Sequence, residues 1–375
     1  MKIPCILLLV PFLWVVSCQS NTTMERRRGE ISPRSVLLPV WERTVVRGTR
    51  FAPVSDQFGT PAWSPGTLRI VTGTSRGEIW SMDLTGRMLW RTALHEPVES
   101  APLVHEQMIL VGTISGGLHA LDRETGRQLW KFQGYGSFLG SMLVSDGVVY
   151  ALTSRNKLYA VALETGQLHW SREHETPQAY TVRGHSSLAR YRNLLIYGLS
   201  DGRIMSIDIQ RRGEVYWTAD LEDGADENYL DADATPIVFG DRIFAASYRK
   251  GLVSLSVETG EVNWRYPVGG VTRLLLYREK LYFVSSSTGI HCLSLDGRLL
   301  WRQYVEMGTA TSMQIVKHRL LISFDEGGLI ALNPDNGFFY QKFDTGSGIS
   351  GGFATSGPWL TTLANNGRLY LFEIR

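Results

Sequence analysis

Residues that could carry out chemistry are few and scattered in this chain of 375 residues. One segment, Gly73 to Gly77 (GTSRG), has the Gly-x-Ser-x-Gly spacing of a hydrolase nucleophile. That motif requires a strand before the serine and a helix after it, whereas here apolar, alternating stretches precede and follow the segment and predict a hairpin turn. The eight histidines show neither His-x-x-x-His nor His-Glu-x-x-His spacing, so no zinc motif is present. The sequence therefore predicts no catalytic residue, no cofactor-binding residue and no metal ligand.

The most charged segment is Asp220 to Asp233 (DLEDGADENYLDAD), which holds seven acidic residues and no basic one. It lacks the Asp-x-Asp-x-Asp-Gly spacing of a calcium loop. Three interpretations stay open: a cation site, a docking surface that steers a basic partner, and a solvated loop. Since loops on a rigid scaffold often carry function, the segment is a candidate interaction site.

The N-terminus has the features of a secreted lipoprotein. Lys2 precedes an apolar run, Ile3 to Val16, that is too short to span a bilayer and is typical of a signal peptide. The run ends in Ser17 and Cys18, which resembles the bacterial lipobox. The sequence predicts a signal peptide over 1–17, lipidation (palmitate) at Cys18, and a flexible tether over 18–34. Gln19, in place of Asp, favours the periplasmic face of the outer membrane.

Cys292 is the cysteine that remains in the predicted folded part, 35–375, so no disulfide can form within it. It lies in an alternating stretch, Ile290 to Leu295 (IHCLSL), which predicts a buried small residue more readily than a reactive thiol.

The charge balance of the chain excludes another class of function. With 38 Lys and Arg against 36 Asp and Glu, the chain lacks the basic excess of a nucleic-acid-binding protein.

One motif recurs along the rest of the chain, and it predicts an all-β repeat protein. Each copy has alternating apolar residues, a turn rich in Asp, Glu, Thr and Gly, and a short strand that ends in an aromatic residue, with another hairpin upstream. Two examples are Leu118 to Trp130 (LHALDRETGRQLW) and Leu158 to Trp170 (LYAVALETGQLHW). Four strands in about 40 residues correspond to one blade of a β-propeller.

The final aromatic residues define the number of blades. They are Trp90, Trp130, Trp170, Trp217, Trp264, Trp301 and Tyr340. The two longest spacings, which end at Trp217 and Trp264, predict insertions around blades four and five. Because these residues recur once per blade, we expect them to pack one blade on the next rather than to stack a substrate.

The two ends of the repeat region complement each other. The stretch Val36 to Val45 has an aromatic strand, with Trp41 equivalent to Trp90, but no preceding hairpins. The stretch Phe353 to Arg375 has three strands and stops before its aromatic strand. We therefore predict an eight-bladed propeller whose last blade is closed by the N-terminal strand, an arrangement that removes two exposed sheet edges.

The Ala-x-Asp-x-x-Thr-Gly-x-x-x-Trp pattern resembles the repeat of quinoprotein (PQQ-like) propellers, over nearly all of residues 36–375. In its lipobox, its length and its number of blades, the chain most resembles the BamB family of outer-membrane assembly lipoproteins. Two non-repetitive segments also resemble that family: Thr181 to Ser187 (TVRGHSS), preceded by Tyr180, and Asp231 to Pro236 (DADATP).

The resemblance implies a function and a set of contact residues. It implies a non-catalytic scaffold that binds the POTRA domains of a BamA-like protein, with Tyr180, Val182 and Arg183 in contact and Asp231 and Asp233 beside them. Tyr180 and Val182 replace aliphatic residues of the family, and the acidic loop is unusual, so the partner surface can differ.

Two alternatives stay open: a repeat lipoprotein with another envelope partner, and a PQQ-dependent redox enzyme. Against the enzyme, the chain has no Cys-Cys pair to cover the quinone, a feature that the resemblance to quinoprotein dehydrogenases would imply.

Overall fold

The computed structural model describes residues 35–48, 54–174, 186–221, 232 and 234–375. The described residues form β-strands and turns, and among them there is no helix that is long and apolar enough to cross a membrane. The first four blades contain β2 (Ala62–Ser64), β3 (Arg69–Gly73), β4 (Glu78–Met82), β5 (Met88–Ala93), β6 (Leu103–His105), β7 (Met108–Gly112), β8 (Gly117–Asp122), β9 (Gln128–Gln133), β10 (Leu143–Ser145), β11 (Val148–Leu152), β12 (Lys157–Ala162), β13 (Leu168–Glu173), β14 (Ala189–Tyr191), β15 (Leu194–Gly198), β16 (Arg203–Asp208) and β17 (Glu214–Asp220).

The remaining blades contain β18 (Ile237–Phe239), β19 (Arg242–Ser247), β20 (Gly251–Ser256), β21 (Val262–Tyr266), β22 (Val271–Tyr277), β23 (Lys280–Ser285), β24 (Gly289–Ser294), β25 (Leu299–Gln303), β26 (Ala310–Val316), β27 (Arg319–Phe324), β28 (Gly328–Leu332), β29 (Phe339–Phe343), β30 (Phe353–Ser356), β31 (Trp359–Leu363), β32 (Arg368–Ile374) and β1 (Leu37–Thr44).

These strands form eight four-stranded antiparallel sheets, which confirms the predicted eight-bladed propeller. Seven sheets follow chain order, and the eighth has the order β1-β32-β31-β30. The N-terminal strand therefore closes the last blade, as predicted, and Leu37 pairs with Ile374 while Thr44 pairs with Arg368. One N-terminal strand and three C-terminal strands thus form the last sheet.

Apolar side chains fill the space between neighbouring blades. Between blades 2 and 3, for example, Leu110 and Leu118 of one sheet pack with Val149 and Tyr159 of the next, and Phe138 of the connecting segment is 1 % exposed. The two middle strands of each sheet are buried on both faces because every blade has a neighbour on each side. Burial of this apolar surface is the main force that holds the ring together.

The recurring tryptophans connect successive blades, which confirms their predicted structural role. The indole Nε1–H of Trp130 donates to the carbonyl oxygen of Leu163 in the next blade at 2.8 Å. The ring lies against Gly166, whose φ of 72° places the turn where a Cβ atom would come within 2.7 Å of the indole. The equivalent indole hydrogen bond is made by Trp41, Trp90, Trp217, Trp264 and Trp301.

At the last junction, the aromatic assignment was wrong by one residue. Ala331 pairs with Gln341, as Ala120 pairs with Trp130, so Gln341 and not Tyr340 occupies the tryptophan position. The physical reason is that the last blade is formed by both ends of the chain, so that no turn joins β32 to β1. The next blade has no turn there, and it presents the backbone of Val36 and Leu37, which the Gln341 side chain binds.

Because consecutive strands run antiparallel, the loops that connect them lie on two opposite faces of the ring. The hairpins between second and third strands and the connections between blades share one face, here named the loop face. The other hairpins lie on the opposite face, here named the closure face, where β1 begins beside the end of β32. Residue 35 therefore enters the propeller on the closure face.

The residues that mimic chemical motifs have structural roles. Gly73 to Gly77 forms the turn between β3 and β4, as predicted. His119 and His291 are each 2 % exposed, within β8 and β24. Cys292 is fully buried beside them in β24, and burial raises the pKa of its thiol to about 11, so it is the small buried residue that was expected.

Candidate protein-docking site

The predicted lipidation and contact residues, Cys18, Tyr180, Val182, Arg183, Asp231 and Asp233, lie outside the described residues. The strands that flank the two contact segments are described. One segment connects β13 of blade 3 to β14 of blade 4, and the other connects β17 of blade 4 to β18 of blade 5. Both segments therefore begin and end on the loop face, at adjacent blades.

A single hairpin of blade 4, residues 198–203, holds the ends of both segments. Ser186, at the end of the first segment, accepts a hydrogen bond through its Oγ from the Gly198 N–H at 3.0 Å. From the second segment, the Ala232 N–H donates to the Leu199 carbonyl and the Leu221 N–H to the Gly202 carbonyl, each at 3.2 Å. The two segments are thus tied to the same structural element.

Ala232 of the second segment lies close to this hairpin because residue 198 is a glycine and has no side chain. A Cβ atom at Gly198 would lie 1.9 Å from the carbonyl oxygen of Ala232. Any larger residue would push the second segment away from blade 4. The identity of this glycine therefore determines how near Ala232 of the second segment can come to blade 4.

A line of hydroxyl groups joins the inner ends of the segments. The Ser187 N–H donates to Thr235 Oγ1 at 3.3 Å, and the Ser187 Oγ accepts from the Ser141 N–H at 3.0 Å. These bonds connect the first residues of blades 3, 4 and 5 around the centre of the ring. The bases of both segments are consequently fixed relative to each other across three blades.

The hairpin is also connected to blade 3. The Asn156 Nδ2 donates to Ser200 Oγ at 2.8 Å, and the Ser200 N–H donates to Asn156 Oδ1 at 3.3 Å. Below it, His174 Nε2 lies 2.8 Å from the hydroxyl of the fully buried Tyr197. Burial lowers the pKa of His174, so its ring is neutral at physiological pH. These contacts make the hairpin a rigid base.

The surface beside the segments combines charge with an exposed aromatic ring. Tyr135, on the connection between blades 2 and 3, is 56 % exposed, and the guanidinium of Arg155 lies 5.2 Å from its ring centroid. Lys157 forms an ion pair with Glu173 at 2.8 Å. Exposed Tyr and Arg are the residue types that contribute most at protein interfaces.

Sequence reasoning identified the two segments but not the hairpin that joins them. Asp201 and Gly202 form a readable turn signal, yet nothing in their spacing shows that residues 186, 221 and 232 converge there. The Tyr135 and Arg155 pair was also missed, because the connection that holds Tyr135 and the hairpin that holds Arg155 meet only when blade 3 folds.

Comparison with known proteins identifies the family. Residues 39–113 and 75–303 match a protein family that is described as "outer membrane protein assembly factor BamB". This chain belongs to the BamB family. The BamB of Legionella pneumophila (strain Paris) is 33 % identical over 94 % of this chain and 92 % of its own length. The BamB of Yersinia pestis is 28 % identical over 89 % of this chain and 88 % of its own length.

A solved structure supports the fold of this BamB family member. The crystal structure of BamB from Moraxella catarrhalis has a TM-score of 0.76 at 20 % identity, and covers 90 % of this chain and all of that chain. The relatives from Legionella pneumophila and Yersinia pestis are both named as outer membrane protein assembly factors. The family assignment therefore agrees with the resemblance inferred from the repeat and the two non-repetitive segments.

Proposed function

We propose that this chain is a non-catalytic scaffold lipoprotein of the machinery that assembles β-barrel proteins in the outer membrane, where it binds the POTRA domains of a BamA-like protein. The observation that carries the proposal is the hairpin 198–203, which holds the ends of both candidate contact segments at one place on the loop face. The names of the relatives support this process, as those from Legionella pneumophila and Yersinia pestis are both outer membrane protein assembly factors.

The contact residues follow from this arrangement. Tyr180, Val182 and Arg183 lie in the segment that ends at Ser186, and Asp231 and Asp233 flank Ala232 in the other. Because the described ends are held together, a partner domain can touch both segments at once. A basic side chain and two carboxylates then offer the partner complementary charges, which favour specificity and fast association.

The proposed anchor precedes β1 in the chain. Lipidation at Cys18 would attach the chain to the periplasmic face of the outer membrane through the tether 18–34. Residue 35 enters the propeller on the closure face, whereas the described ends of the docking segments lie on the loop face. A fully extended tether of this length can span about 55–60 Å.

The docking surface is tested by co-purification with the BamA homologue from crosslinked membranes. We expect Arg183→Glu to abolish recovery of the partner, since it replaces a contact cation by an anion. Arg87→Glu is the matched control, because Arg87 is exposed in the turn between β4 and β5 on the closure face. Equal recovery with both variants, at equal thermal stability, would show that the site is misplaced.

The anchor is tested separately by fractionation. We expect Cys18→Ser to move the protein from the outer membrane to the soluble periplasmic fraction, while purified protein still binds the partner. Retention in the outer membrane of the double variant Cys18→Ser, Arg183→Glu, which should neither be lipidated nor be held by the partner, would contradict lipidation at Cys18.

A further inference from the structure

Exposed apolar side chains are concentrated on one part of the outer rim of the ring. In blade 7, Phe338 is 63 % exposed and Phe339 is 42 % exposed, and in blade 6 Leu299 and Leu300 are each 49 % exposed. In the other blades, the exposed apolar residues at this end of the outermost strand are single residues, apart from one Val-Tyr pair in blade 4. Two neighbouring blades therefore present a pair each.

A contact between blades 6 and 7 brings the two pairs close together. The indole of Trp301, which follows Leu300, donates to the Pro334 carbonyl at 3.0 Å. The same ring lies against Gly337, which precedes Phe338, and a Cβ atom at Gly337 would come within 2.7 Å of it. The rim patch is defined here as Leu299, Leu300, Phe338 and Phe339.

The closure face beside the rim patch has an excess of basic residues. In blades 6 and 7, five Arg or Lys residues stand against three Asp or Glu in the hairpins 277–280, 295–298, 316–319 and 333–338. Asp335 binds Lys280 at 3.1 Å, and Asp296 binds Arg242 of blade 5 at 3.1 Å. These ion pairs neutralise two of the three carboxylates.

Two of the basic side chains are available beside the rim patch. Arg298, which precedes Leu299, and Lys317 are both exposed. Within the described part of the chain neither pairs with a carboxylate, and the Lys317 Nζ donates to the Ile374 carbonyl at 2.9 Å. Contiguous exposed apolar residues mark an interaction site. Apolar residues bordered by basic ones are typical of a surface that binds a membrane with anionic lipids.

The rim patch also lies near the point where the chain enters the propeller. Gln341, two residues after Phe339 in β29, accepts a hydrogen bond from the Val36 N–H at 2.8 Å. The tether 18–34 precedes this point, and the lipid is proposed at its first residue, Cys18. The proposed anchor is therefore joined to the fold beside the blade that exposes the two phenylalanines.

We propose that the rim patch contacts the lipid bilayer, with its Leu and Phe side chains at the boundary of headgroups and acyl chains and with Arg298 and Lys317 at the phosphates of anionic lipids. The proposal rests on the lipid anchor proposed at Cys18, because a small patch by itself binds a membrane only marginally and reversibly. The anchor brings the propeller to the membrane, and the patch determines which part of the propeller touches it.

The test is fluorescence quenching of the full-length protein in vesicles of phosphatidylethanolamine and phosphatidylglycerol. A dye is attached to Phe338→Cys or, as the control, to Tyr304→Cys. Tyr304 is 61 % exposed on the loop face, in the connection between the same two blades, and Cys292 is buried. We expect lipids brominated on their acyl chains to reduce the emission at position 338 by about half and to leave position 304 unchanged, since an interfacial group reaches the acyl boundary.

Each other outcome contradicts a definite part of the proposal. Equal quenching at both positions, or none at position 338 in protein that floats with the vesicles, would overturn the contact and leave the anchor intact. Protein that does not float would overturn the anchor and the contact together, whereas recovery of the BamA homologue tests docking alone. Shielding of the dye at position 338 without lipid, increasing with protein concentration, would assign the patch to a second copy and overturn membrane contact.

Charge reversal tests the basic residues. The double variant Arg298→Glu, Lys317→Glu should lose most of the quenching at position 338, because phosphatidylglycerol then repels the patch. The matched control is Arg47→Glu, Arg76→Glu, which changes the net charge equally at exposed positions of the loop face. Equal quenching in the two double variants, at equal thermal stability, would overturn the role of Arg298 and Lys317.

Discussion

The side-chain amide of Gln341 pairs with the backbone of Leu37 in both directions. Its Nε2 donates to the Leu37 carbonyl at 3.0 Å, and its Oε1 accepts from the Leu37 N–H at 2.9 Å and from the Val36 N–H at 2.8 Å. At six other blade positions a tryptophan donates to a turn of the following blade. At this junction the amide of Gln341 replaces the indole, because the following blade has the start of β1 there instead of a turn.

Replacing Gln341 should weaken ring closure. Gln341→Leu has a similar volume and removes the amide, which leaves the N–H groups of Val36 and Leu37 without this partner. We expect the free energy of unfolding to fall by about 3 kcal/mol, measured by urea denaturation. Gln133→Leu, at an exposed position of β9, is the control, and an equal loss in the two variants would refute a special role for Gln341.

Two glycines of blade 3 allow the indole contact to be measured. Gly166 and Gly147 both have a φ of 72°, but only at Gly166 would a Cβ atom collide with Trp130, while Gly147 has open space around it. We expect Gly147→Ala to cost about 1 kcal/mol from backbone strain and Gly166→Ala about 2 kcal/mol more from overpacking. Thermal unfolding of both variants tests this difference, and equal losses would mean that the indole moves without cost.

Stability should depend on pH through His291. Burial, with a contribution from Arg302, lowers the pKa of His291 to about 4, whereas an unfolded histidine takes up its proton near pH 6.5. The unfolded state thus binds more protons between these values, so stability is present above pH 6.5 and declines as the pH falls toward 4. This decline amounts to at most about 3 kcal/mol.

The measurement is the free energy of unfolding at several pH values. We expect His291→Gln to reduce the decline between pH 6.5 and 4 without abolishing it, because burial also lowers the pKa of His119 and His174. The variant also lowers stability at pH 7, because the ring stacks on Phe283 at 4.6 Å. His169→Gln, at an exposed position, should leave the decline unchanged. A slope in His291→Gln identical to that of the parent protein would exclude His291 as its source.

The Cys292 thiol should be unreactive in the folded protein. It has no exposed surface, and burial raises its pKa to about 11, so both access and thiolate formation are suppressed. We expect a thiol reagent to label it only through unfolding, at a rate that rises with urea in parallel with the unfolded fraction. Rapid labelling in native buffer would contradict this burial.

The sequence predicted the fold well because each blade repeats the same local signals. Alternating strands, a glycine turn and a final tryptophan recur often enough for the shared last blade to be inferred from Trp41 at one end and the three strands of Phe353 to Arg375 at the other. The Gln341 position was missed because Tyr340, one residue earlier, satisfies the aromatic pattern. Only strand pairing, with its irregularity after Ala331, shows which side chain faces the next blade.

The candidate site was less predictable for a different reason. Ser186, Leu221 and Ala232 meet at one hairpin through backbone groups, and backbone hydrogen bonds leave little trace in residue type. In the same way, the exposed apolar pairs of blades 6 and 7 come together only because the Trp301 indole packs on the hairpin of the next blade. Such relationships depend on ring geometry, which no local pattern encodes.

The N-terminal strand β1 also decides where mechanical force enters the molecule. With the anchor proposed at Cys18, tension in the tether arrives at residue 35 and passes directly into β1, whose pairing with β32 holds the ring shut. The bonds from Gln341 to Val36 and Leu37, and the bond from the Arg375 N–H to the Val36 carbonyl, lie where that load enters the sheet. Anchoring and integrity of the propeller therefore share one strand, and a pull strong enough to detach it would open the ring.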